Sequence, residues 1–289
     1  MAPDATTSLV GRTVVVTGAT SGVGEATARA LGAAGATVVL AGRNVDRGKR
    51  IADEIGPRAE MMSLDLADLS AIRAFADAFA DRRIDVLVNN AGVMAVPLGR
   101  TADGFEMQIG TNHLGHFALT GLLLPRITGR IVTVSSAAHL IGRIDLDDLN
   151  WERRPYNRAA GYAQSKLANL LFALELERRL AAARSPLRAV AAHPGYAATE
   201  VGSHTGTWFD RLFGFGKTIL QRTPDQGAES VVLAASDPGI AGGYIGPSLL
   251  LYGAPGVATV GRRARDRETA TRLWELSEKL TGVHFEIGR

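Results

Sequence analysis

The chain alternates short apolar runs with longer segments of helical periodicity, and this alternation narrows the possible folds more than any other feature. Residues 13–17 (TVVVT), 37–41, 59–63, 86–89 and 130–134 are apolar or β-branched runs of strand length. Runs that are apolar at successive positions suit strands buried on both faces. Between them, residues 25–34, 45–55, 69–80 and 105–123 carry apolar side chains three and four apart, the spacing of a helix face. Parallel strands need a crossover, so repeated strand–helix–strand units imply a parallel sheet. Residues 187–192 and 244–250 read as two later strands, for about seven in all. The expected fold class is α/β, a Rossmann-type doubly wound parallel sheet with helices on both faces.

No composition break or Pro/Gly/Ser linker divides the 289 residues, so residues 1–289 read as one domain with a flexible stretch at 1–10. A hydrophobic fraction of 46% with 21% charged residues is that of a soluble globular protein. The chain has no cysteine, which excludes disulfides, thiolate metal sites and cysteine nucleophiles and favours a reducing compartment. No apolar run reaches the length of a membrane span, and the polar N-terminus has no signal-peptide pattern. A cytoplasmic protein without a transmembrane segment is expected. Net charge is +3, and the basic residues are scattered rather than gathered on a face, which argues against nucleic acid. Residues 140–160 and 200–223 fall outside the alternation. Such insertions collect at the carboxyl ends of the strands, where ligands bind.

Directly after the first strand comes Thr17-Gly18-Ala19-Thr20-Ser21-Gly22-Val23-Gly24, and then a helix. Glycines here allow a tight turn, close approach to a pyrophosphate and close helix–strand packing. The helix start offers free N–H groups and a positive dipole end. Gly18, Thr20, Ser21, Gly22, Val23 and Gly24 are thus candidate cofactor-binding residues. A mononucleotide loop is excluded, because Glu25 rather than lysine follows Gly24. An acidic residue after the second strand would bond a ribose 2′-OH and repel a 2′-phosphate. This chain has Gly42-Arg43-Asn44 instead. Arg43 can make charge-assisted bonds to a 2′-phosphate, which favours NADP and leaves NAD possible. The alternative for Arg43 is a solvated loop position.

Tyr162 and Lys166 lie one helical turn apart. A cation fixed near a phenol favours the phenolate and lowers its pKa from about 10. Such a tyrosine can exchange a proton with an oxygen near neutral pH. Tyr156 has Ala160 at the same offset and no tuning ammonium.

Together these features resemble the short-chain dehydrogenase/reductase family. The matching pieces run in order: Thr17-Gly-x-x-x-Gly-x-Gly24, Asn89-Asn-Ala-Gly92, Asn112, Ser135-Ser136, Tyr162-x-x-x-Lys166 and Pro194-Gly195-x-x-x-Thr199. Thr111-Asn-His-Leu-Gly-His-Phe117, Asp147-Asp-Leu-Asn150 and Gln164-Ser-Lys-Leu-Ala-Asn169 are similar to the retinol-dehydrogenase-like branch. The resemblance implies a dehydrogenase/reductase acting on CH–OH donors, with Tyr162 as acid or base toward an alcohol or carbonyl oxygen. Lys166 would lower the phenol pKa and hold the nicotinamide ribose, and Ser136 would bond the substrate oxygen. Asn112 would anchor a water in a proton relay. Asp65 and Leu66 would meet the adenine, Asn90, Ala91 and Gly92 the ribose, and Thr199 the carboxamide after the Pro194-Gly195 turn. Ser136 rather than Ser135 faces the site on this pattern. Relatives often pair through the helices bearing Asn112 and Tyr162, so a homodimer or homotetramer is implied.

His113 and His116 could share a metal, but no third ligand is evident, and no metal site is expected. His139 either lines the substrate space or stands behind it. Residues 140–160 are expected to form a flap over the site. In the segment 200–223, read as a substrate lid, Trp208, Phe209, Leu212 and Phe213 would cover a hydrophobic carbonyl or alcohol substrate; a dimer contact or membrane-surface patch is the alternative. Two rival functions remain open: a non-catalytic dinucleotide-binding redox sensor, and a same-fold enzyme of another reaction such as epimerisation.

Overall fold

The computed structural model describes residues 8–195 and 223–288. Five strands, β1 (Thr13–Thr17), β2 (Thr37–Gly42), β3 (Ala59–Ser63), β4 (Ile84–Asn89) and β5 (Ile127–Val134), alternate with helices as the apolar runs require. The helices of this half are α1 (Gly22–Ala33), α2 (Val45–Ile55), α3 (Leu69–Asp77), the short α4 (Met107–Ile109) and α5 (Gly115–Leu123). Then follow α6 (Arg158–Ala182), β6 (Arg188–Ala192), α7 (Pro224–Ser236), β7 (Gly243–Pro247), β8 (Pro255–Val257) and α8 (Arg267–Thr281). One sheet holds all eight strands in the order β3-β2-β1-β4-β5-β6-β7-β8. Every pairing is parallel except β7 with β8. The sequence pattern gave seven strands and missed β8, a three-residue Pro-Gly-Val edge with no periodicity to detect.

Successive strand residues feed opposite cores, which explains the unbroken apolar runs. Val14, Val16, Val38, Leu40, Val86, Val88, Val132 and Val190 belong to one buried cluster, with Val23, Ala28 and Leu31 of α1 and Val231 of α7. Val15, Val39, Leu87, Ile131 and Ala189 point the other way, into a cluster with Phe75, Phe117, Phe172 and Trp274. Burying each such valine or leucine contributes about 1.5–3 kcal/mol, so the double-faced strands dominate the stability.

The outer faces of α5 and α6 are covered by the chain itself. Trp274 of α8 stacks on Phe172 of α6 with centroids 5.7 Å apart and meets Phe117 of α5 at 5.1 Å. Phe285 closes the cluster against Phe117 at 4.8 Å and Trp274 at 4.5 Å. Arg179 lies over the Trp274 ring at 4.3 Å. Gly282, at φ 64°, ends α8 in the left-handed conformation that glycine adopts readily. No helix among the described residues is long and apolar enough to cross a membrane.

Between α4 and α5 the helix widens into a single π turn, Gly110–Leu114. Two buried histidines fasten it. His113 Nε2 pairs with Ser277 Oγ of α8 at 3.0 Å, and His116 Nε2 with Thr17 Oγ1 of β1 at 2.9 Å. Each ring is therefore turned to its own partner, and the two do not converge on a shared metal. Burial, with a smaller effect of the neighbouring His116, holds His113 down to about 3; burial does the same to His116, at about 4.

Two measurements follow from this packing. Trp274→Ala is expected to lower unfolding free energy by about 3–5 kcal/mol in urea titration, the range for deleting a buried aromatic; a loss under about 1 kcal/mol would mean the seam is loosely packed. The histidines are neutral when folded and take up protons when unfolded below about pH 6.5, so stability falls as pH drops from there toward the folded values. His116→Gln is therefore expected to lose roughly 2 kcal/mol less than the parent between about pH 7 and pH 5. An equal loss would show that His116 carries no such penalty.

Candidate active site

Strand order reverses between β1 and β4, and the crevice at their carboxyl ends is where an open α/β sheet takes its ligand. The chain turns out of β1 through Gly18 at φ 64° and Gly22 at φ 54°. A Cβ at Gly18 would come within 2.8 Å of Ala91 Cα, and one at Gly24 would collide with the Gly18 carbonyl and the Asn90 side chain. The backbone is thus drawn tight against the loop after β4. Ser21, the N-cap of α1, makes no side-chain cap bond, so the first N–H groups of the helix stay available to an anion. Val23 is buried in the core, so its side chain is no part of the cradle. A glycine cradle beside an uncapped helix start fits a dinucleotide pyrophosphate.

Thr17 ties this turn to the loop that follows β4. Its hydroxyl accepts from the N–H of Asn90 at 2.9 Å and of Ala91 at 3.0 Å, and Asn90 Nδ2 donates to the Thr17 carbonyl at 2.9 Å. His116 then links Thr17 to the π turn, its Nδ1 bonding the Asn112 carbonyl at 2.8 Å. The Asn112 side chain is committed to structure. Its Oδ1 accepts from Val93 N–H at 2.8 Å, while its Nδ2 donates to the Val93 carbonyl and to Ser165 Oγ, each at 2.9 Å. A Cβ on Gly92 would lie 3.1 Å from Asn112 Oδ1 and 3.5 Å from Lys166 Nζ. Glycine at this position keeps open the space where asparagine, lysine and backbone converge.

Asn157 caps α6 by accepting from Ala160 N–H, which fixes the register that puts Tyr162 and Lys166 on one face. Lys166 is only 4% exposed; its Nζ lies 5.8 Å from the Tyr162 ring centroid and donates to the Val134 carbonyl at 3.2 Å. Burial lowers its pKa to about 8. The Ser136 side chain, just beyond β5, stands beside Tyr162, which keeps some exposed surface. The reading that Lys166 depresses the phenol is reversed in this state. Burial raises the Tyr162 pKa and outweighs the lowering effect of Ser136. The ammonium stands beside the ring rather than at the hydroxyl, and desolvation penalises the phenolate. Ser135, by contrast, is 1% exposed and donates to the Lys166 carbonyl at 2.7 Å, so Ser136 is the serine that faces Tyr162.

Other expected residues divide by what they touch. Arg43 is exposed at the end of β2, whereas Asn44 spends its side chain capping α2 through Arg47 N–H at 3.0 Å. Asp65 accepts from Ala67 N–H at 3.0 Å and Leu66 is buried. Pro194 is partly exposed, and Gly195 takes φ 74° just after β6. Thr199, Trp208, Phe209, Leu212 and Phe213, with the expected lid, lie outside the described residues. His139, weighed as a substrate-lining residue, is 1% exposed with both ring nitrogens engaged, and so stands behind the site. The expected flap is fastened to the helices around the site. Arg154 stacks over Trp151 at 3.8 Å and donates to Gln164 Oε1, while Tyr156 bonds Glu106 and Gln108 just before the π turn. Sequence reasoning missed the roles of Thr17, Ser135, His116 and Tyr244. His116 had a signal in the motif around Asn112; Tyr244 had none.

The sequence profile described as short chain dehydrogenase matches residues 12–209. Human retinol dehydrogenase 13 is 41% identical, the match covering 96% of this chain and 86% of that one. Mouse polyprenol dehydrogenase is also 41% identical, over 94% of this chain and 84% of its own length. Among solved structures, an uncharacterised protein from Mycobacterium paratuberculosis shares 50% identity and a TM-score of 0.85, with 97% of each chain covered. A short chain dehydrogenase from Burkholderia cenocepacia in complex with NADP aligns at 25% identity and TM-score 0.64, covering 83% of this chain and 96% of that one. With the glycine cradle at the β1–β4 crevice and the Ser136–Tyr162–Lys166 group beside it, the chain belongs to the short-chain dehydrogenase/reductase family, in its retinol-dehydrogenase-like branch, and is an NAD(P)-dependent dehydrogenase/reductase acting on alcohols and carbonyls.

Proposed function

We propose that this enzyme is an NADP-preferring oxidoreductase that interconverts an aldehyde or ketone with its alcohol on a hydrophobic small molecule, with Tyr162 as acid and base. The observation that carries this reading is the convergence of Ser136, Tyr162 and the buried Lys166 beside Gly92. When bound, the nicotinamide supplies or accepts a hydride at the carbon of the reacting group. In reduction the carbonyl oxygen gains negative charge, and the Tyr162 hydroxyl donates its proton to that oxygen. Burial keeps the phenol protonated until it is needed. Ser136 offers the same oxygen a second hydrogen bond, so charge builds up at a point already surrounded by donors. Lys166 then favours the phenolate left behind, and the reverse sequence serves alcohol oxidation.

Gly18, Thr20, Ser21, Gly22 and Gly24 would hold the pyrophosphate, and Asn90 and Gly92 a ribose. Arg43 supports the NADP preference: it is exposed at the strand end where NAD sites carry a carboxylate. The names of the similar retinol and polyprenol dehydrogenases support a lipophilic substrate. The joint presence of Ser136, Tyr162, Lys166 and Asn112 supports a catalyst over a redox sensor.

Oxidation of NADPH, with NADH alongside, against retinaldehyde and a series of aliphatic aldehydes and ketones tests the reading. Tyr162→Phe is expected to lower turnover by a factor of about 100 or more while cofactor binding persists; turnover equal to that of the parent would remove the proposed mechanism. Arg43→Ala is expected to raise the KM for NADPH roughly tenfold and leave that for NADH unchanged. Equal effects on both cofactors would overturn the preference.

A further inference from the structure

A second hydrogen-bonded layer lies directly behind Ser136 and Lys166, built from residues far apart in the chain. Gly261 N–H donates to His139 Nε2 at 3.2 Å, so that nitrogen carries no proton and Nδ1 must carry it. Nδ1 accordingly donates to the Ser136 carbonyl at 2.8 Å, a carbonyl that also accepts from the His139 backbone N–H at 3.0 Å. The same Nδ1 lies 3.3 Å from the hydroxyl of Tyr244 on β7. The Tyr244 hydroxyl also lies beside Ser135, which donates to the Lys166 carbonyl at 2.7 Å. Hydrogen bonds thus run from Gly261 through His139 to the Ser136 backbone, and from Ser135 to the Lys166 backbone, with Tyr244 set against both.

The layer is closed and rigid. His139 and Tyr244 are each 1% exposed, and their rings meet edge to face with centroids 5.3 Å apart. His193 packs on the other side of Tyr244 at 5.0 Å. A Cβ on Gly261 would sit 3.2 Å from the His139 ring, so even this loop glycine is fitted to it. Neither His139 nor Tyr244 has any contact with the pyrophosphate cradle. What they hold is the backbone of the two residues whose side chains flank Tyr162.

We propose that His139 and Tyr244 are positioning residues for the carbonyl–alcohol chemistry, fixing Ser136 and Lys166 from behind through a shared buried network. The proposal rests on the function proposed above. A displacement of a fraction of an ångström in either backbone moves the hydrogen bond that Ser136 gives the substrate oxygen, or the ammonium beside Tyr162, without touching the cofactor. His139 acts through the Ser136 carbonyl, and Tyr244 acts through His139.

The experiment combines steady-state kinetics with hydrogen exchange of the cofactor-free protein. Tyr244→Phe and His139→Leu are each expected to lower kcat at least roughly tenfold, with KM for NADPH within about threefold of the parent. His139→Asn keeps a donor near the Nδ1 position and is expected to retain kcat within about threefold. His139→Leu combined with Tyr244→Phe should be no slower than His139→Leu alone, because both break one chain. In the cofactor-free protein, His139→Leu is expected to speed amide exchange across residues 136–142 while leaving β1 to β3 protected. Parent-like kcat in Tyr244→Phe and His139→Leu would overturn the proposal. So would additive loss in the double variant, or exchange raised throughout the sheet, which marks general destabilisation. If the parent itself reduces none of the aldehydes or ketones with either cofactor, the carbonyl–alcohol reading fails. The exchange comparison still decides whether His139 holds the Ser136 segment.

Discussion

The hydroxyl of Thr17 is the point on which the site depends. At the end of β1 it receives two backbone N–H groups from the loop after β4 and pairs with His116, which bonds the carbonyl of Asn112. One buried oxygen thus joins the glycine turn, the loop after β4 and the π turn. Each of those parts belongs to a different crossover unit, and burial makes an unpaired partner expensive, so the three are held in one arrangement. The glycines only permit close approach; Thr17 and His116 decide which surfaces approach.

A division of labour follows from where each candidate side chain is anchored. Ser136 leaves the end of β5, Tyr162 and Lys166 share one face of α6, and Asn112 spends its side chain bracing Val93 and Ser165. The phenol is kept neutral by burial rather than charged by its lysine. Buried acid, adjacent hydrogen-bond donor and cation are thus supplied by two rigid elements, which favours accurate placement over mobility.

Much of this was readable in the sequence wherever the physics was local. The strands β1 to β6 showed because residues alternating into two cores must be apolar at nearly every position, as Val14, Val15 and Val16 are. The phosphate turn showed because Gly18, Gly22 and Gly24 stand where a strand meets a helix, and Tyr162 with Lys166 because helical spacing makes neighbours of them. What was not legible depends on distant partners. Nothing in the segment around Tyr244 announces Ser135, and His139 could not be sorted between lining the site and standing behind it until Gly261 was found at its ring. The rise in the Tyr162 pKa was hidden for the same reason, since burial is set by the whole fold and not by the residue four positions away.

The seam of α8 on α5 and α6 has a consequence for the order in which the protein can mature. Trp274, Ser277 and Phe285 are made well after α5 and α6, yet Ser277 braces His113, next to Asn112, and Trp274 covers Phe117 and Phe172. During vectorial synthesis α6 leaves the ribosome well before the segment that packs Trp274 against it. For that interval the nascent chain carries Phe117 and Phe172 uncovered, a sticky aromatic surface of the kind chaperones attend to. The π turn that carries Asn112 waits for the brace from Ser277, so it gains its full set of partners only once α8 has been made.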